Sequence, residues 1–210
     1  MSARLAVLVS GTGRSLQNLV EVIARGQLEA EIALVLANTP AALALERARR
    51  LGLEAVLVPH RDYADVEAFS AAVFAQIEAR HCELVVLAGF LRLLRLPERW
   101  VGRVLNIHPA LLPAFGGKGY WGERVHRAVL ERGVQFTGCT VHYVTNEYDA
   151  GPIVLQRCIA VHPDDTPESL AARVLVEEHR IYPQVVRWFA EGRVRLEGSG
   201  VLLDGKPVEL

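Results

Sequence analysis

The sequence is poor in several features, and each shortage excludes a class of protein. Only three cysteines occur among its 210 residues, and they are far apart with no C-x-x-C pair, so we expect a reducing compartment and no disulfide framework. No apolar stretch approaches the roughly 20 residues that cross a bilayer. The formal net charge is -1. A chain without basic excess gives no reason to expect a nucleic-acid partner.

What the chain has in quantity is apolar sequence. Hydrophobic residues make up 51% of it, enough to bury a large core without metal or disulfide staples. The first four residues lead directly into a short apolar run that ends at Ser10, so we expect no secretion signal. With no linker or repeat in the sequence, we predict a single domain over residues 1–210. The scattered cysteines and the expected lack of a secretion signal predict a cytoplasmic protein.

Uninterrupted apolar runs alternate with helical patterns in the first half of the chain. Runs without polar alternation indicate strands that are covered on both faces, as in a parallel sheet. These runs lie at residues 5–9, 32–37, 55–58 and 84–88. Amphipathic stripes begin at Leu16 and at Val66. The β-α-β order therefore predicts an α/β fold with an open, doubly wound, mostly parallel sheet.

The second half continues the sheet and then changes character. We predict a central strand at 104–107, a helix at 123–132 and strands at 135–144 and 153–161. A long helix begins at Thr166 and Pro167, directs residues 170, 174, 185 and 189 towards the core, and is kinked or interrupted at Pro183. A small hairpin follows, with turns at Gly-Ser-Gly 198–200 and Asp-Gly 204–205.

The loop Ser10–Ser15 (SGTGRS) joins the first strand to the first helix. Glycines allow a tight turn, and a helix N-terminus attracts anions through its free N–H groups and its dipole. A ribose-binding acid is missing after the second strand, where Asn38 stands. The loop therefore favours a phosphate monoester over NAD, and a turn without a ligand is the alternative.

Asn106 and His108 occupy the end of the predicted fifth strand. Residues two apart on a strand point to the same side, so an amide and an imidazole converge on one spot. Such a pair can hold a carbonyl oxygen as it becomes negative, and His108 can also move protons. A purely structural histidine is the alternative.

The loop 145–152 (TNEYDAGP) supplies acids at another strand end. Asp149 is a candidate for catalysis, although surface acids are common at such places. A zinc site built from His108, His142 and Asp149 is conceivable. No pair of these residues has the close spacing of familiar zinc motifs, so we predict no metal.

Taken together, these segments resemble the glycinamide ribonucleotide formyltransferase family, in that family's order and from residue 5 to about 205. The segments NIHPALLP and HYVTNEYDAGP are specific to folate-type formyltransferases, and SGTG before the first helix narrows the resemblance to the purine enzyme. The matching pieces are LVSGTGRSLQNL (8–19), VVLAGFLRLL (85–94), LNIHPALLP (105–113), GCTVHYVTNEYDAGPIVLQ (138–156) and EEHRIYPQVVRWFAEGRV (177–194).

The resemblance implies a Rossmann-like formyltransferase fold with 10-formyltetrahydrofolate as co-substrate and no metal. It places glycinamide ribonucleotide in a half at 1–103, and catalysis and folate binding in a half at 104–210. A homodimer is left open, and no membrane partner is expected. It implies a role for each of these residues: Asn106, His108 and Asp149 in catalysis, with Asp149 holding His108 in its charged form; Gly13, Arg14 and Ser15 at the substrate phosphate; Glu178 at the nucleotide; and Leu91, Arg92, Leu93, Leu94 and Asn106 at the folate.

The chain departs from the family pattern in two places. Residues 114–126 (AFGGKGYWGERVH) are longer than usual, so Lys118, Tyr120 and Trp121 form either a lid or substrate contact, or a solvated loop. Arg14-Ser15 replaces the more usual Ser-Asn. The rival functions are a formyltetrahydrofolate hydrolase, a formyltransferase for an amino sugar or initiator tRNA, a nucleotide-binding dehydrogenase and a silent ligand-binding module. The tRNA enzyme would need an added C-terminal domain and a basic surface.

Overall fold

The computed structural model of the protein describes residues 2–198 and 200–208. The chain divides into two compact units, the first reaching to Leu105 and the second beginning at Asn106. In the described part of the chain, the strands form one sheet of seven strands and a separate small sheet of three. Among the described residues, no helix is long and apolar enough to cross a membrane.

The first unit alternates strands and helices. Its elements are β1 (Ala3–Val9), α1 (Arg14–Ala24), β2 (Ala30–Ala37), α2 (Leu43–Arg50), β3 (Ala55–Leu57), α3 (Val66–Glu78) and β4 (Leu84–Leu87). β1 pairs in parallel with both β2 and β4, and β2 pairs in parallel with β3. All four residues of β4 and seven of the eight in β2 are buried. This burial on both faces is why these strands appear as continuous apolar runs.

Helix α2, Leu43–Arg50, is an element that the sequence analysis did not identify. Its buried residues are Ala44, Leu45 and Ala48, and the rest of its sequence is mostly charged. Two of the three core contacts are made by alanine, so the apolar stripe is weak. A short helix of this kind gives little periodic signal from which to predict it.

Strand β5 (Val104–His108) leads from the first unit into the second, which continues with α4 (Glu123–Arg132), β6 (Phe136–Tyr143), β7 (Ile153–Ala160) and α5 (Pro167–Ala190). The strand order of the large sheet is β3-β2-β1-β4-β5-β6-β7. β6 and β7 pair antiparallel. The predicted α/β class with a mostly parallel sheet is confirmed. The strands β8 (Val194–Glu197), β9 (Gly200–Leu203) and β10 (Lys206–Pro207) form the expected C-terminal antiparallel sheet. Ser199 of the predicted turn lies outside the described residues.

Helix α5 begins as predicted but is not interrupted. Thr166 accepts a hydrogen bond from the N–H of Ser169 in a capping box, and Pro167 stands at the first position. The helix runs for 24 residues through Pro183, which is buried within it. Pro183 therefore does not interrupt the helix, because tertiary packing of the buried face outweighs one missing backbone hydrogen bond, and the kink expected as the alternative stays a prediction. Near its end Trp188 is buried, whereas Phe189, expected in the core, is only half-buried.

Candidate active site

Asn106 and His108 lie on the same face of β5, and both contact Asp149. The Asn106 Nδ2 atom is 3.4 Å from Asp149 Oδ1, and His108 Nδ1 is 3.5 Å from Asp149 Oδ2. Asp149 belongs to the loop between β6 and β7. Its φ of 53° lies in the left-handed region, which a residue other than glycine seldom adopts and which is common at functional sites. The structure thus brings together the three side chains that were predicted to act in catalysis.

The buried ring of His108 is held in one tautomer. Its Nε2 atom is 2.8 Å from the carbonyl oxygen of Phe115, and a carbonyl can only accept, so Nε2 carries the hydrogen. The lone pair of the neutral ring is then on Nδ1, beside the Asp149 carboxylate. A proton that arrives at His108 must bind Nδ1, where the neighbouring negative charge stabilises the imidazolium.

The charge state of His108 differs from the prediction. Burial lowers the pKa of His108 below its usual value, and the opposing effects of the Asp149 charge and the Phe115 carbonyl do not reverse this. The expected direction of the Asp149 effect is correct. The net direction does not support the expectation that His108 is held charged, because desolvation of the ring is the larger effect. Burial favours the neutral ring, which is the form that can accept a proton.

Asp149 remains ionised in this half-buried place. Burial raises the pKa of its carboxyl, but the two neighbouring histidines and a hydrogen bond from the Gly117 N–H outweigh burial, so the net pKa is below the usual value. The N–H of Gly117 donates to Asp149 Oδ2 over 2.9 Å. The loop after β5 therefore contacts both members of the His108–Asp149 pair, through the Phe115 carbonyl and the Gly117 amide.

His142 on β6 is a functional candidate whose role the sequence analysis missed, since it appeared there only as a zinc ligand. It is buried, and its Nδ1 lies 2.8 Å from the carbonyl of Tyr143, so Nδ1 carries the hydrogen. Its Nε2 then accepts a hydrogen bond from Asn106 Nδ2 over 3.1 Å. His142 therefore orients the Asn106 amide. Its period-two spacing from Thr140 on a strand was the available signal.

The zinc site considered from the sequence would use two of these residues, His108 and Asp149, together with His142. His108 and His142 do lie on either side of Asp149, with His142 Nε2 3.7 Å from Asp149 Oδ1. Among residues 2–198 and 200–208, however, no group of three or more His, Cys, Asp or Glu could hold a metal ion.

Thr140 on β6 holds the chain that follows His108. The Thr140 hydroxyl donates to the Ala110 carbonyl over 2.7 Å and accepts from the N–H of Leu112 over 3.1 Å. Gly116 sits so close to the Leu112 side chain that a Cβ there would clash with it. These contacts set the path of the loop that carries Phe115 and Gly117, and so the geometry around His108.

The predicted phosphate loop lies in the first unit. Gly13, with a φ of 75°, is the N-cap residue of α1, and no side chain among the described residues caps this helix. Helix α2 packs behind it: the N–H of Ala44 donates to the Gly11 carbonyl and Arg47 Nε donates to the Thr12 carbonyl, each over 3.1 Å. The uncapped N–H groups are suited to an anion.

The other predicted binding residues have mixed exposure. Leu91 and Arg92 are exposed, Leu93 is half-buried and Leu94 is buried in the first unit. Glu178 is half-buried on α5 of the second unit. Their binding roles, and those of Gly13, Arg14 and Ser15, stay predictions.

The long loop before α4 is partly ordered by ring contacts. Trp121 is 43% exposed and carries the Arg124 guanidinium 4.6 Å above its ring. The Phe115 and Tyr120 rings meet edge to face at 6.4 Å. Because Phe115 also binds His108 through its carbonyl, the loop is tied to the candidate site at its beginning, while the role of Lys118, Tyr120 and Trp121 stays a prediction.

The model of one protein family, described as formyl transferase, matches residues 3–186 of the chain. The protein belongs to the formyl transferase family. The three clustered residues, Asn106, His108 and Asp149, lie within the matched range, as do both predicted binding segments and Glu178.

Similar proteins support membership over nearly the whole chain. Phosphoribosylglycinamide formyltransferase of Escherichia coli is 36% identical over 96% of this chain and 94% of that protein. The trifunctional purine biosynthetic protein adenosine-3 of Bos taurus is 40% identical over 94% of this chain, which spans only 19% of that relative. Glycinamide ribonucleotide transformylase 1 of Symbiobacterium toebii superposes with a TM-score of 0.89 at 44% identity, over 96% of this chain and 94% of that one. The predicted fold class is thereby confirmed.

Proposed function

We propose that this protein transfers the formyl group of 10-formyltetrahydrofolate to the amine of 5'-phosphoribosylglycinamide, a step of de novo purine biosynthesis. The observation that carries the proposal is the Asn106–His108–Asp149 cluster, in which an amide donor and a fixed negative charge lie beside a buried imidazole base. Membership of the formyl transferase family supports it. The names of the relatives that this chain matches over most of their length support the choice of acceptor.

The first step in this proposal is attack of the glycine amine on the formyl carbon. The carbonyl oxygen becomes an oxyanion that needs a hydrogen-bond donor. Asn106 Nδ2 has two hydrogens, one directed to His142 at 3.1 Å and one to Asp149 at the longer distance of 3.4 Å. The second, weaker bond is the one that can be exchanged for the oxyanion while His142 keeps the amide in place.

The second step moves protons so that the reaction balances. As the new N–C bond forms, the amine loses a proton to His108 Nδ1, directly or through a water. As the bond from the formyl carbon to N10 of the folate breaks, that proton passes to N10. The His108 imidazolium that exists between these events is stabilised by Asp149 across 3.5 Å. A neutral resting His108 is the protonation state that this mechanism requires.

The binding roles complete the proposal. Gly13, Arg14 and Ser15 hold the substrate phosphate at the N-terminus of α1, and Glu178 contacts the nucleotide. Leu91, Arg92, Leu93 and Leu94 bind the folate, to which Asn106 also contributes. Residues 1–103 thus supply the phosphate loop and the folate segment, and residues 104–210 supply the catalytic residues and Glu178. The cytoplasmic location and a homodimer stay predictions.

A spectrophotometric assay tests this proposal against its rivals. Release of tetrahydrofolate from 10-formyltetrahydrofolate is followed with glycinamide ribonucleotide, with an amino sugar nucleotide, and with no acceptor. We expect release only with glycinamide ribonucleotide. Equal release without an acceptor would identify a hydrolase, and release only with the amino sugar would identify the other transferase. Either result contradicts the proposal.

A further inference from the structure

Three strand ends of the first unit meet at the hydroxyl of Ser10, which directly follows β1. Ser10 Oγ donates to Asn38 Oδ1 over 2.5 Å and accepts from the N–H of Leu91 over 2.9 Å. The Ser10 N–H donates to the Gly89 carbonyl over 3.0 Å. Ser10 thus opens the predicted phosphate loop and also holds the first residue of the predicted folate segment.

Asn38 fixes the direction of this hydroxyl. It directly follows β2 and is 3% exposed, so its side chain has a single environment. Its backbone carbonyl accepts from His60 Nδ1 over 2.9 Å and from the His60 N–H over 3.2 Å. Because the Ser10 proton is committed to Asn38, the oxygen lone pairs are left for the N–H of Leu91. The Leu91 amide is held by a hydroxyl that cannot rotate freely.

We propose that Ser10 is a positioning residue for folate binding, which acts by anchoring the backbone at Leu91 and not by touching either substrate. This inference rests on the proposed function, because it assigns the Leu91–Leu94 segment to the folate. The single proton of the hydroxyl is committed to Asn38, so a hydrogen bond donated from it to a phosphate would require breaking the bond to Asn38. The phosphate loop has separate supports at Gly11 and Thr12, from Ala44 and Arg47.

The test is the kinetic split of Ser10→Ala. Without the hydroxyl, the exposed segment that begins at Leu91 loses its anchor. We expect KM for 10-formyltetrahydrofolate to rise about two- to tenfold, the range of one hydrogen bond. The KM for glycinamide ribonucleotide and kcat should each stay within about twofold, since the phosphate loop keeps its other supports and the catalytic cluster is untouched. Ser10→Thr, which keeps the hydroxyl, should restore the folate KM.

Two further measurements keep a folding defect from imitating this result. Amide hydrogen exchange at Leu91 should be faster in Ser10→Ala than in wild type and in Ser10→Thr. Ser169→Ala is the matched control, because Ser169 also bonds through its hydroxyl at a helix start but has no proposed role in binding. It should leave both KM values unchanged.

The outcomes separate this inference from the proposed function. If wild type does not formylate glycinamide ribonucleotide, the proposed function fails, and unchanged Leu91 exchange in Ser10→Ala would then still overturn the anchoring role of Ser10. If wild type does so, a Ser10→Ala variant with unchanged folate KM and unchanged Leu91 exchange overturns the positioning role. A rise confined to the glycinamide ribonucleotide KM also overturns it and makes Ser10 part of the phosphate site.

Discussion

At the scale of single residues, the site depends on how the environment of two side chains sets their chemistry. His108 is a base because burial lowers its pKa more than Asp149 raises it. Asn106 is a directed donor because His142 holds its amide. The spacing of Asn106 and His108 on one strand was enough to predict that they share a face. The balance of burial against charge at His108 depends on residues 7 and 41 positions away (Phe115 and Asp149) and could not be predicted from spacing.

Replacement of Asn106 by alanine tests its role as an oxyanion donor. We expect Asn106→Ala to lower kcat by about 10²–10³, the usual effect of losing one such donor, and to leave both KM values nearly unchanged. The reason is that the donor acts chiefly in the transition state. Steady-state kinetics with both substrates measures this. A near-normal kcat with a raised KM would assign Asn106 to ground-state binding.

Replacement of Asp149 by asparagine tests the electrostatic pairing. Asp149 raises the pKa of His108 against the effect of burial, so Asp149→Asn should lower that pKa further. Activity should fall because the imidazolium loses its stabilisation. If neutral His108 is the base, the acidic limb of the kcat/KM profile should move to lower pH. Histidine NMR titration gives the pKa directly, and lost activity with an unchanged His108 pKa would indicate that Asp149 only positions groups.

At the scale of elements, the first strands were predictable because burial on both faces leaves continuous apolar runs. Helix α2 was not, because its core contacts are mostly alanines among charged residues. The interruption expected at Pro183 followed a local rule, whereas the buried face of α5 decides the outcome over 24 residues. Sequence patterns therefore predicted an element well where the local preference of its residues agrees with their burial in the fold.

The N-terminus of α1 is the element whose proposed role is most open to test. Gly13→Val should abolish binding of glycinamide ribonucleotide, since a Cβ at Gly13 would lie 2.8 Å from Ala44 Cβ and the φ of 75° is strained for valine. Gly26→Val is the control, because Gly26 has a φ of 69° but no atom within 4 Å of an added Cβ. Calorimetry with the nucleotide measures both, and normal binding by Gly13→Val would place the phosphate elsewhere.

Replacement of Arg14, at the start of the same helix, tests whether its side chain or the backbone N–H groups bind the substrate phosphate. Arg14→Ala should raise the KM for glycinamide ribonucleotide about tenfold, as loss of a hydrogen bond to a charged group does, and leave the folate KM unchanged. Arg25→Ala, at the other end of α1, is the matched control and should change neither value. A silent Arg14→Ala together with a Gly13→Val variant that cannot bind would show that the backbone N–H groups suffice.

At the scale of the whole molecule, family membership and the Asn106–His108–Asp149 cluster both support the proposed formyl transfer. The N-x-H-P and D-x-G-P segments carry Asn106, His108 and Asp149, and the fold brings these side chains together as the resemblance implied. What the sequence could not supply is the surroundings that select a tautomer of His108 and hold the Asn106 amide. Those surroundings come from β6 and from the loop after β5.

The measurement that tests the central claim most directly follows the formyl carbon itself. The protein is incubated with 10-formyltetrahydrofolate labelled with ¹³C in the formyl group and with glycinamide ribonucleotide, and the products are observed by ¹³C NMR. The account predicts that the label appears as a formamide on the glycine nitrogen, with one tetrahydrofolate released for each formamide. Label found as free formate, or retained on the folate, would contradict it.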